Sequence, residues 1–263
     1  MNIEDIKTTN IGGLDTACIG RKDLVELISS RCADYSFREK DKPPLLIVDN
    51  NGQAISLANR DCNLKELLQK ADLIHADGQS IVWFSRWLPG KTIPERTATT
   101  DMIHDIPKLN KTALNHYLLG AERNVVMKAA DVYSRLYGNV RIAGYHHGYF
   151  DEAFESELCE LINQFPVDIL WVGMGKPREQ EFCIRNRNRL NVAVIITCGG
   201  CFNFLTGDYK RAPLWVQKIG FEWLHRLFTN PGHLFFRYLF TNPHAIFCVL
   251  LGYLKADRFT NRK

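Results

Sequence analysis

The stretch from residue 167 to residue 197 decides the fold class. It opens with Val167-Asp-Ile-Leu-Trp-Val172, continues as Gly173-Met-Gly-Lys-Pro-Arg-Glu-Gln-Glu181 and closes with Val192-Ala-Val-Ile-Ile-Thr197. Residues 178–190 lie between the two apolar runs and have a helix-like pattern. A strand, a glycine-rich turn, a helix and a second strand form a βαβ unit, which indicates a parallel sheet buried on both faces.

Similar apolar runs recur along most of the chain. The other predicted strands are 45–48, 71–74, 116–119 and 140–143. The predicted helices are 63–70, 80–87, 100–109, 125–137, 153–165 and 178–190. This alternation predicts an α/β fold with a mostly parallel sheet flanked by helices. Ligands of such sheets bind beyond the carboxyl ends of the strands, so the loops after strands are the place for chemistry.

The composition changes after about residue 212, where the chain becomes rich in Phe, Leu, Trp and Arg. The sequence Leu-Phe-Thr-Asn-Pro occurs at 227–231 and again at 239–243. A residue before proline avoids the helical conformation, so each Asn-Pro pair is expected to interrupt a helix. We predict an α/β domain over residues 1–212 and an appendage of short helices joined by elbows over residues 213–263.

Composition limits the class of protein. The chain has 263 residues, of which 46% are hydrophobic and 24% charged, which is enough for a sizeable core. A net charge of +4 is mild and does not indicate a dedicated nucleic-acid-binding protein. The first ten residues lack the apolar run of a signal peptide, and Ala245–Leu254 is about half the ~20 residues of a spanning helix. The expectation is a cytoplasmic protein, either soluble or bound at a membrane surface.

Cysteines and histidines give little indication of a metal or redox site. The eight cysteines are scattered along the chain, which favours reduced thiols. Cys198-Gly-Gly-Cys201 has redox or metal spacing, but the favoured interpretation is a strand that ends in a tight turn. His146 and His147 fit no ligand spacing, so we expect no bound metal and no cofactor.

A carboxylate follows the predicted strand 71–74, in the segment His75-Ala-Asp-Gly78. At the end of a parallel strand Asp77 would point into the ligand crevice, where it could act as a general base. The alternative is an Asp-Gly turn, in which the aspartate serves only local hydrogen bonds.

Two further glycine-rich segments follow strands and could bind an anion. In Gly173–Glu181, backbone N–H groups and the charges of Lys176 and Arg178 suit a diphosphate, although a helix-start turn with solvated charges is the alternative. Gly199 and Gly200 permit close backbone approach to a ligand. Lys210 and Arg211, which come next, could face phosphate, and Arg96 is one more candidate cation. Together these groups favour a phosphorylated ligand.

These segments together resemble the WecG/TagA/CpsF glycosyltransferases, which form glycosyltransferase family 26. The resemblance runs from about Asp15 to Leu239. The residues that carry it are Ala76-Asp-Gly78, Arg96, Asp101, Gly144, Gly148-Tyr-Phe150, Gly173-Met-Gly-Lys-Pro177, Gly199-Gly-Cys-Phe-Asn203, Thr206-Gly207, Lys210-Arg-Ala-Pro213 and Glu222-Trp-Leu-His-Arg226.

The resemblance implies a Rossmann-like body, a UDP-sugar donor and a membrane-embedded polyprenyl-diphosphate-linked glycan as acceptor. It also implies inversion at the anomeric carbon without a bound metal, with Asp77 as the base. Cationic side chains and helix N-termini must then stabilise the diphosphate. The candidates for that role are Arg96, Gly175, Lys176, Arg178, Gly199, Gly200, Asn203, Lys210, Arg211, Arg226 and Arg237.

The chain departs from the family pattern in two places. A Thr-x-Asn segment is common after the first strand, whereas this chain has Asp49-Asn-Asn51, so Asn51 fits and Asp49 is a second carboxylate that could share the catalytic role. The usual Pro-Lys-Gln-Glu becomes Pro177-Arg-Glu-Gln180. The donor sugar therefore stays open between glucose, another hexose and an N-acetylmannosamine-type sugar.

The appendage gains a role from a lipid-linked acceptor. Its apolar residues could lie on an anionic bilayer with basic residues beside them, which predicts peripheral association with the inner face of the cell membrane. The apolar set is Trp223, Leu227, Phe228, Leu234, Phe235, Phe236, Tyr238 and Phe240; the basic set is Arg226, Arg237, Lys255, Arg258, Arg262 and Lys263. A helical hairpin buried on the body is the alternative, and Arg226 and Arg237 could serve either the donor or the lipid.

Two other classes of protein compete with this interpretation. A nucleotide-binding oxidoreductase would need G-x-G-x-x-G after the first strand, and Asp49-Asn-Asn-Gly52 is not that motif. A non-catalytic sugar-nucleotide-binding or membrane-scaffold protein of the same fold stays as the alternative to an enzyme of bacterial exopolysaccharide or cell-surface polysaccharide biosynthesis. The sequence leaves open whether copies of the chain form a homo-oligomer.

Overall fold

The computed structural model describes residues 2–36, 42–87, 90–229 and 231–260. The strands in these ranges are β1 (Thr8–Ile11), β2 (Leu14–Ala17), β3 (Leu45–Asn50), β4 (Leu73–Ala76), β5 (Leu114–Gly120), β6 (Val140–His146), β7 (Val167–Gly173) and β8 (Val192–Thr197). The α-helices there are α1 (Arg21–Ser36), α2 (Gly52–Ala58), α3 (Cys62–Leu68), α4 (Gln79–Trp87), α5 (Thr99–Leu109), α6 (Arg123–Leu136), α7 (Glu155–Asn163), α8 (Arg178–Asn186), α9 (Cys201–Leu205), α10 (Leu214–Lys218), α11 (Glu222–Thr229) and α12 (Pro231–Thr260).

The chain forms two compact units whose segments alternate along the sequence. The first unit comprises residues 1–3, 21–48 and 99–209, and the second comprises residues 4–20, 49–98 and 210–263. The strand β3 passes from the first unit into the second at Asp49. The predicted boundary at residue 212 separates a catalytic domain from its appendage by function, and it is a different division from these two compact units. It stays a prediction.

The main sheet has six strands in the order β4-β3-β8-β7-β5-β6. The pairs β3–β8, β8–β7, β7–β5 and β5–β6 are all parallel. In the β7–β8 pair, Ile169 lies beside Val194 and Leu170 beside Ile195. These four side chains are fully buried. A strand covered on both faces needs apolar residues at successive positions, which explains the continuous apolar runs. The predicted α/β fold with a parallel sheet flanked by helices is therefore confirmed.

The second unit begins with a hairpin that the apolar runs did not predict. The strands β1 and β2 pair antiparallel, and Ile11 lies opposite Leu14. Gly12 and Gly13 form the two-residue turn with φ of 62° and 87°. Positive φ at both positions is what a tight hairpin turn requires, so this Gly-Gly pair was the available signal.

The strand β4 is displaced from its predicted position. We expect a strand at 71–74, but it runs from Leu73 to Ala76. The Thr97 N–H bonds the Ala76 carbonyl at 2.8 Å and the buried His75 ring lies 3.1 Å from the Thr97 hydroxyl, so the loop around Thr97 supports the end of the strand. The displacement makes Asp77 the first residue after the strand.

The prediction of short helices joined by elbows is correct only in part. The helix α11 ends at Thr229, before the first Asn-Pro pair, but α12 continues through Pro243. An interior proline costs about 3 kcal/mol because it removes one helical hydrogen bond. Beyond the proline, Ala245 and Val249 are buried. We infer that this packing outweighs the lost hydrogen bond.

The continuous helix also corrects the count of apolar residues. Because Pro243 does not end α12, the apolar segment extends from Leu234 to Leu254 and is 21 residues long. By length and composition alone this segment could cross a membrane, contrary to the estimate from Ala245–Leu254. Of the 18 residues that make this segment apolar enough to span a membrane, only 17% are buried. The helix therefore differs from the buried core helix of a soluble protein.

Candidate functional site

A cavity of about 340 Å³ lies within the second unit. Its polar wall includes Asn51, Asp77, Arg96, Glu222, Arg226 and Arg237. Aromatic rings form another part of the wall, from Trp83, Phe84, Trp223 and Tyr238. Ligand sites commonly combine such apolar surface with a few polar groups, and this cavity is therefore the candidate site.

Asp77 lines this cavity directly after β4. Its N–H donates to the Asn50 carbonyl at 3.0 Å, which ties the residue to the end of β3. The Asn51 side-chain amide donates to Asp77 Oδ2 at 3.3 Å and to Asp49 Oδ2 at 2.8 Å. Asn51 also caps α2, because its Oδ1 accepts the Ala54 N–H at 3.0 Å. One fixed amide therefore orients both carboxylates.

The two carboxylates differ in their access to a ligand. Asp77 is half-buried and lines the cavity, whereas Asp49 is 4% exposed and lies outside the cavity lining of the described residues. A general base must reach the proton it removes. The geometry therefore favours Asp77 as the base, with Asp49 as a partner of Asn51.

Arginine side chains meet a single carboxylate in the cavity wall. Arg96 Nη1 lies 2.6 Å from Glu222 Oε2, and Arg226 Nη2 lies 3.1 Å from Glu222 Oε1. Arg211 Nε lies 3.7 Å from the same Oε1 atom. We call Arg96, Arg211 and Arg226 the arginine cluster.

Arg226 is electrostatically linked to Asp77. Burial acts to lower the pKa of the Arg226 guanidinium, but its interactions with Glu222, then Tyr238 and then Asp77 raise the pKa above its ordinary value. Arg226 therefore stays cationic in the same cavity as the Asp77 carboxylate. The cavity thus combines a carboxylate and a cation, the two kinds of group that the sequence predicts for a base and for a diphosphate partner.

The remaining cations predicted for the second unit differ in position. Arg237 lines the cavity and donates to the Tyr238 hydroxyl at 3.0 Å, with its guanidinium 4.8 Å from the centre of that ring. Lys210 is exposed and is not part of the cavity lining described. Of the basic residues predicted for the membrane, Arg226 and Arg237 instead line the cavity, while the side chains of Lys255 and Arg258, and residues Arg262 and Lys263, lie outside the described part of the chain.

The other candidate anion groups belong to the first unit, where a buried carboxylate takes two of the predicted N–H donors. Glu179 is fully buried, and its Oε2 accepts the Gly175 N–H at 2.9 Å and the Gly199 N–H at 3.1 Å. The φ of Gly175 is 80° and that of Gly199 is 51°, so both turns need glycine. Glu179 therefore joins the loops that follow β7 and β8. The roles of Gly175 and Gly199 in binding a diphosphate stay predictions.

The side chains near these loops are also engaged within the protein. Lys176 Nζ lies 4.0 Å from Glu179 Oε1. Arg178 donates to the Phe150 carbonyl and lies over the Phe150 ring at 5.1 Å. Gly200 precedes α9, and the Asn203 carbonyl in that helix accepts the Tyr209 N–H at 2.9 Å. Cys198 and Cys201 are buried on either side of the turn at Gly199, which confirms the predicted strand that ends in a tight turn.

Sequence reasoning missed two members of the site. Gln217 and Glu222 line the cavity and bind arginine side chains. Glu222 stands in the block Glu222-Trp-Leu-His-Arg226, where only Arg226 was given a role, and Gln217 carries no motif. Within the described ranges, no group of three His, Cys, Asp or Glu side chains has the arrangement of a metal site.

Comparison with known proteins gives a consistent result. The family model of the glycosyl transferase WecG/TagA/CpsF family matches residues 9–258. The chain is 30% identical over 182 residues to an N-acetylglucosaminyldiphosphoundecaprenol N-acetyl-beta-D-mannosaminyltransferase of Bacillus subtilis (strain 168), covering 69% of this chain and 70% of that protein. It is 29% identical over 232 residues to the protein of the same name from Staphylococcus aureus (strain NCTC 8325 / PS 47), covering 86% of this chain and 87% of that protein.

Proposed function

Because the chain belongs to the WecG/TagA/CpsF family of glycosyltransferases, we propose that it is an inverting, metal-independent enzyme that moves a hexose from a UDP-sugar to a polyprenyl-diphosphate-linked glycan. The observation that carries the proposal is the cavity whose wall holds the Asp77 carboxylate together with Arg96 and Arg226 of the arginine cluster. A base and a set of cations are the two groups that this displacement needs when no metal neutralises the leaving diphosphate.

The proposed reaction is a single displacement. An Asp77 carboxylate oxygen accepts the proton of the acceptor hydroxyl, and the oxygen of that hydroxyl forms a bond to the anomeric carbon. The bond between the anomeric carbon and the phosphate oxygen breaks from the opposite face, and its electron pair leaves with UDP. Arg226 and Arg96 stabilise the charge that develops on the diphosphate. Asn51 holds the Asp77 carboxylate in place.

For the sugar, the relatives favour one candidate. Both are named as N-acetyl-beta-D-mannosaminyltransferases that act on N-acetylglucosaminyldiphosphoundecaprenol. We therefore propose UDP-N-acetylmannosamine as the first donor to test and a polyprenyl-diphosphate-linked N-acetylglucosamine as the first acceptor. UDP-glucose stays the second donor, because Glu179 and Gln180 are exchanged relative to the family pattern. The product would enter a bacterial cell-surface polysaccharide or exopolysaccharide.

A donor panel tests this proposal. The purified full-length chain is incubated with the lipid-diphosphate acceptor and, in turn, UDP-N-acetylmannosamine, UDP-glucose and UDP-N-acetylglucosamine. The mass of the glycolipid is measured by mass spectrometry and its anomeric configuration by NMR. We expect one added hexose or N-acetylhexosamine, with inverted anomeric configuration, from at least one donor. A parallel reaction without acceptor measures hydrolysis of the donor. If the acceptor did not increase UDP release with any of the three donors, the proposal would be contradicted.

We further propose that α12 lies along the inner surface of the cell membrane. One face of the helix packs against the rest of the second unit, because Tyr238, Asn242 and Ala245 line the cavity and Val249 is buried. The other side is apolar and exposed, at Phe236, Leu239, Phe240, Phe247, Leu250, Leu251 and Leu254. A helix with one protein-facing side and one apolar side fits a location in the plane of the bilayer surface better than a location surrounded by lipid.

The double variant Phe236→Glu/Phe240→Glu is expected to bind vesicles at least about tenfold more weakly. The two rings are 67% and 58% exposed. Each substitution removes roughly 1.5–3 kcal/mol of apolar burial and adds a charge that anionic lipids repel. Sedimentation with phosphatidylglycerol-containing vesicles measures the loss.

The matched control is Met127→Glu/Leu136→Glu in α6 of the first unit, where the residues are 52% and 54% exposed. We expect this control to bind like the wild type. Equal loss in both double variants would show a general effect of added charge and would remove α12 as the anchor. Resistance of the wild type to extraction by alkaline carbonate would indicate a spanning helix instead.

A further inference from the structure

Glu222 occupies the centre of the arginine cluster. It is the first residue of α11, and the residue is 9% exposed. Its two carboxylate oxygens lie within 2.6 to 3.7 Å of guanidinium nitrogens from all three arginines. One carboxylate thus brings Arg96, 126 positions away in the sequence, together with two arginines from its own region of the chain.

Gln217 completes this arrangement. Its Oε1 accepts from Arg96 Nη2 at 2.9 Å and from Arg211 Nη2 at 2.9 Å. Its Nε2 donates to the Ala212 carbonyl at 2.7 Å, which fixes the orientation of the amide. Gln217 and Glu222 therefore hold the guanidinium planes of Arg96 and Arg211 from two directions.

The chemistry of the cluster suits a phosphate group. Guanidinium groups repel one another unless an anion lies between them, and carboxylate and phosphate oxygens accept the same forked N–H bonds. Glu222 itself lines the cavity, beside Arg96 and Arg226. An anion that enters the cavity therefore meets arginines whose N–H groups already bind a carboxylate.

We propose that Glu222 is a positioning residue that holds the arginine cluster as a preformed diphosphate site and competes with the incoming diphosphate for its N–H groups. The inference rests on the proposed function for the identity of the diphosphate, which is that of the UDP-sugar. This competition weakens binding of the intact UDP-sugar to the arginines. The arginines therefore interact more strongly with the diphosphate in the transition state, when charge develops on it as it leaves.

The variant Glu222→Gln tests the competition because it keeps the shape of the side chain and removes its charge. We expect the full-length variant to bind inorganic pyrophosphate about tenfold more tightly than the wild type, as measured by isothermal titration calorimetry at fixed ionic strength. In the transfer reaction we expect a lower KM for the donor together with a kcat reduced about tenfold. A residue that only supported the fold would raise KM or leave it unchanged.

Glu155→Gln is the matched control. Glu155 is 7% exposed and pairs with Arg185 at 2.6 Å, but it belongs to the first unit and does not line the cavity. We expect its pyrophosphate affinity to equal that of the wild type. Pyrophosphate binding by Glu222→Gln that is equal to or weaker than wild-type binding would overturn the inference, as would a gain of the same size in Glu155→Gln.

Thermal unfolding without ligand shows whether each variant is folded. If Glu222→Gln does not fold, Glu222→Asp takes its place, because the shorter side chain withdraws the charge from the guanidinium groups. It is expected to bind pyrophosphate about threefold more tightly, and weaker binding would overturn the inference. The pyrophosphate measurement involves no sugar transfer. An inactive wild type that shows these binding changes would therefore contradict the proposed reaction and leave the role of Glu222 standing.

Discussion

Asp77→Asn is expected to lower kcat/KM for sugar transfer about 10²–10⁴-fold, the usual contribution of a general base. The asparagine keeps the size of the side chain but cannot accept the proton of the acceptor hydroxyl. Binding of UDP is expected to change by less than about threefold, because the arginine cluster and its contacts to Glu222 stay in place. Initial-rate kinetics and calorimetry with UDP give the two values.

Asp49→Asn is the control for this prediction. Asp49 shares the amide of Asn51 with Asp77 but lies outside the cavity lining described. We expect a loss of less than about tenfold, since an indirect effect on orientation is smaller than the loss of the base. If Asp49→Asn removed transfer while Asp77→Asn retained it, the two assignments would have to be exchanged.

Arg226→Met is expected to lower kcat about 10²–10³-fold, as the loss of a preorganised group that stabilises transition-state charge does in other enzymes. Methionine retains much of the aliphatic part of the side chain, while Glu222 keeps its contacts with Arg96 and Arg211. The KM for the donor is expected to change less than kcat, because the charge on the leaving diphosphate is greatest in the transition state.

Two further variants determine whether this effect is specific. Arg226→Lys keeps the charge without the forked geometry and is expected to recover only part of the activity. Arg185→Met in the first unit removes an arginine that pairs with Glu155 at 2.6 Å and is expected to retain wild-type kcat if it folds. A change confined to KM in Arg226→Met would show that Arg226 binds the ground state and the transition state equally well.

Much of the first unit could be predicted from the sequence because its strands are buried on both faces. The predicted strand 192–197 matches β8 to the residue. The hairpin at Gly12 and Gly13 was missed because its strands are four residues long and are not continuous apolar runs. The continuation of α12 through Pro243 was missed because the burial of Ala245 and Val249 is a tertiary effect that outweighs a local rule.

Parts of the site were likewise recognisable from the sequence, but their partners were not. Asp77 stood out because it follows a strand, and Arg96 because it is a cation shortly before a predicted helix. The Arg96–Glu222 pair joins residues 126 positions apart, which no local pattern reports. Nor does the sequence show that two glutamates have different roles. Glu179 accepts hydrogen bonds from the turns at Gly175 and Gly199 in the first unit, whereas Glu222 contacts arginines in the second.

The contact of Gly52 with α12 limits what evolution or mutagenesis can place at that position. A Cβ atom on Gly52 would lie 3.2 Å from Asn242 Oδ1 and 3.9 Å from the Ala245 Cβ. Side chains larger than alanine would therefore push α2 away from α12, the helix that we propose to lie on the bilayer. Asn51, the cap residue of α2, orients the Asp77 carboxylate. The volume of the residue at position 52, which carries no functional group, thus limits how far the proposed base can shift.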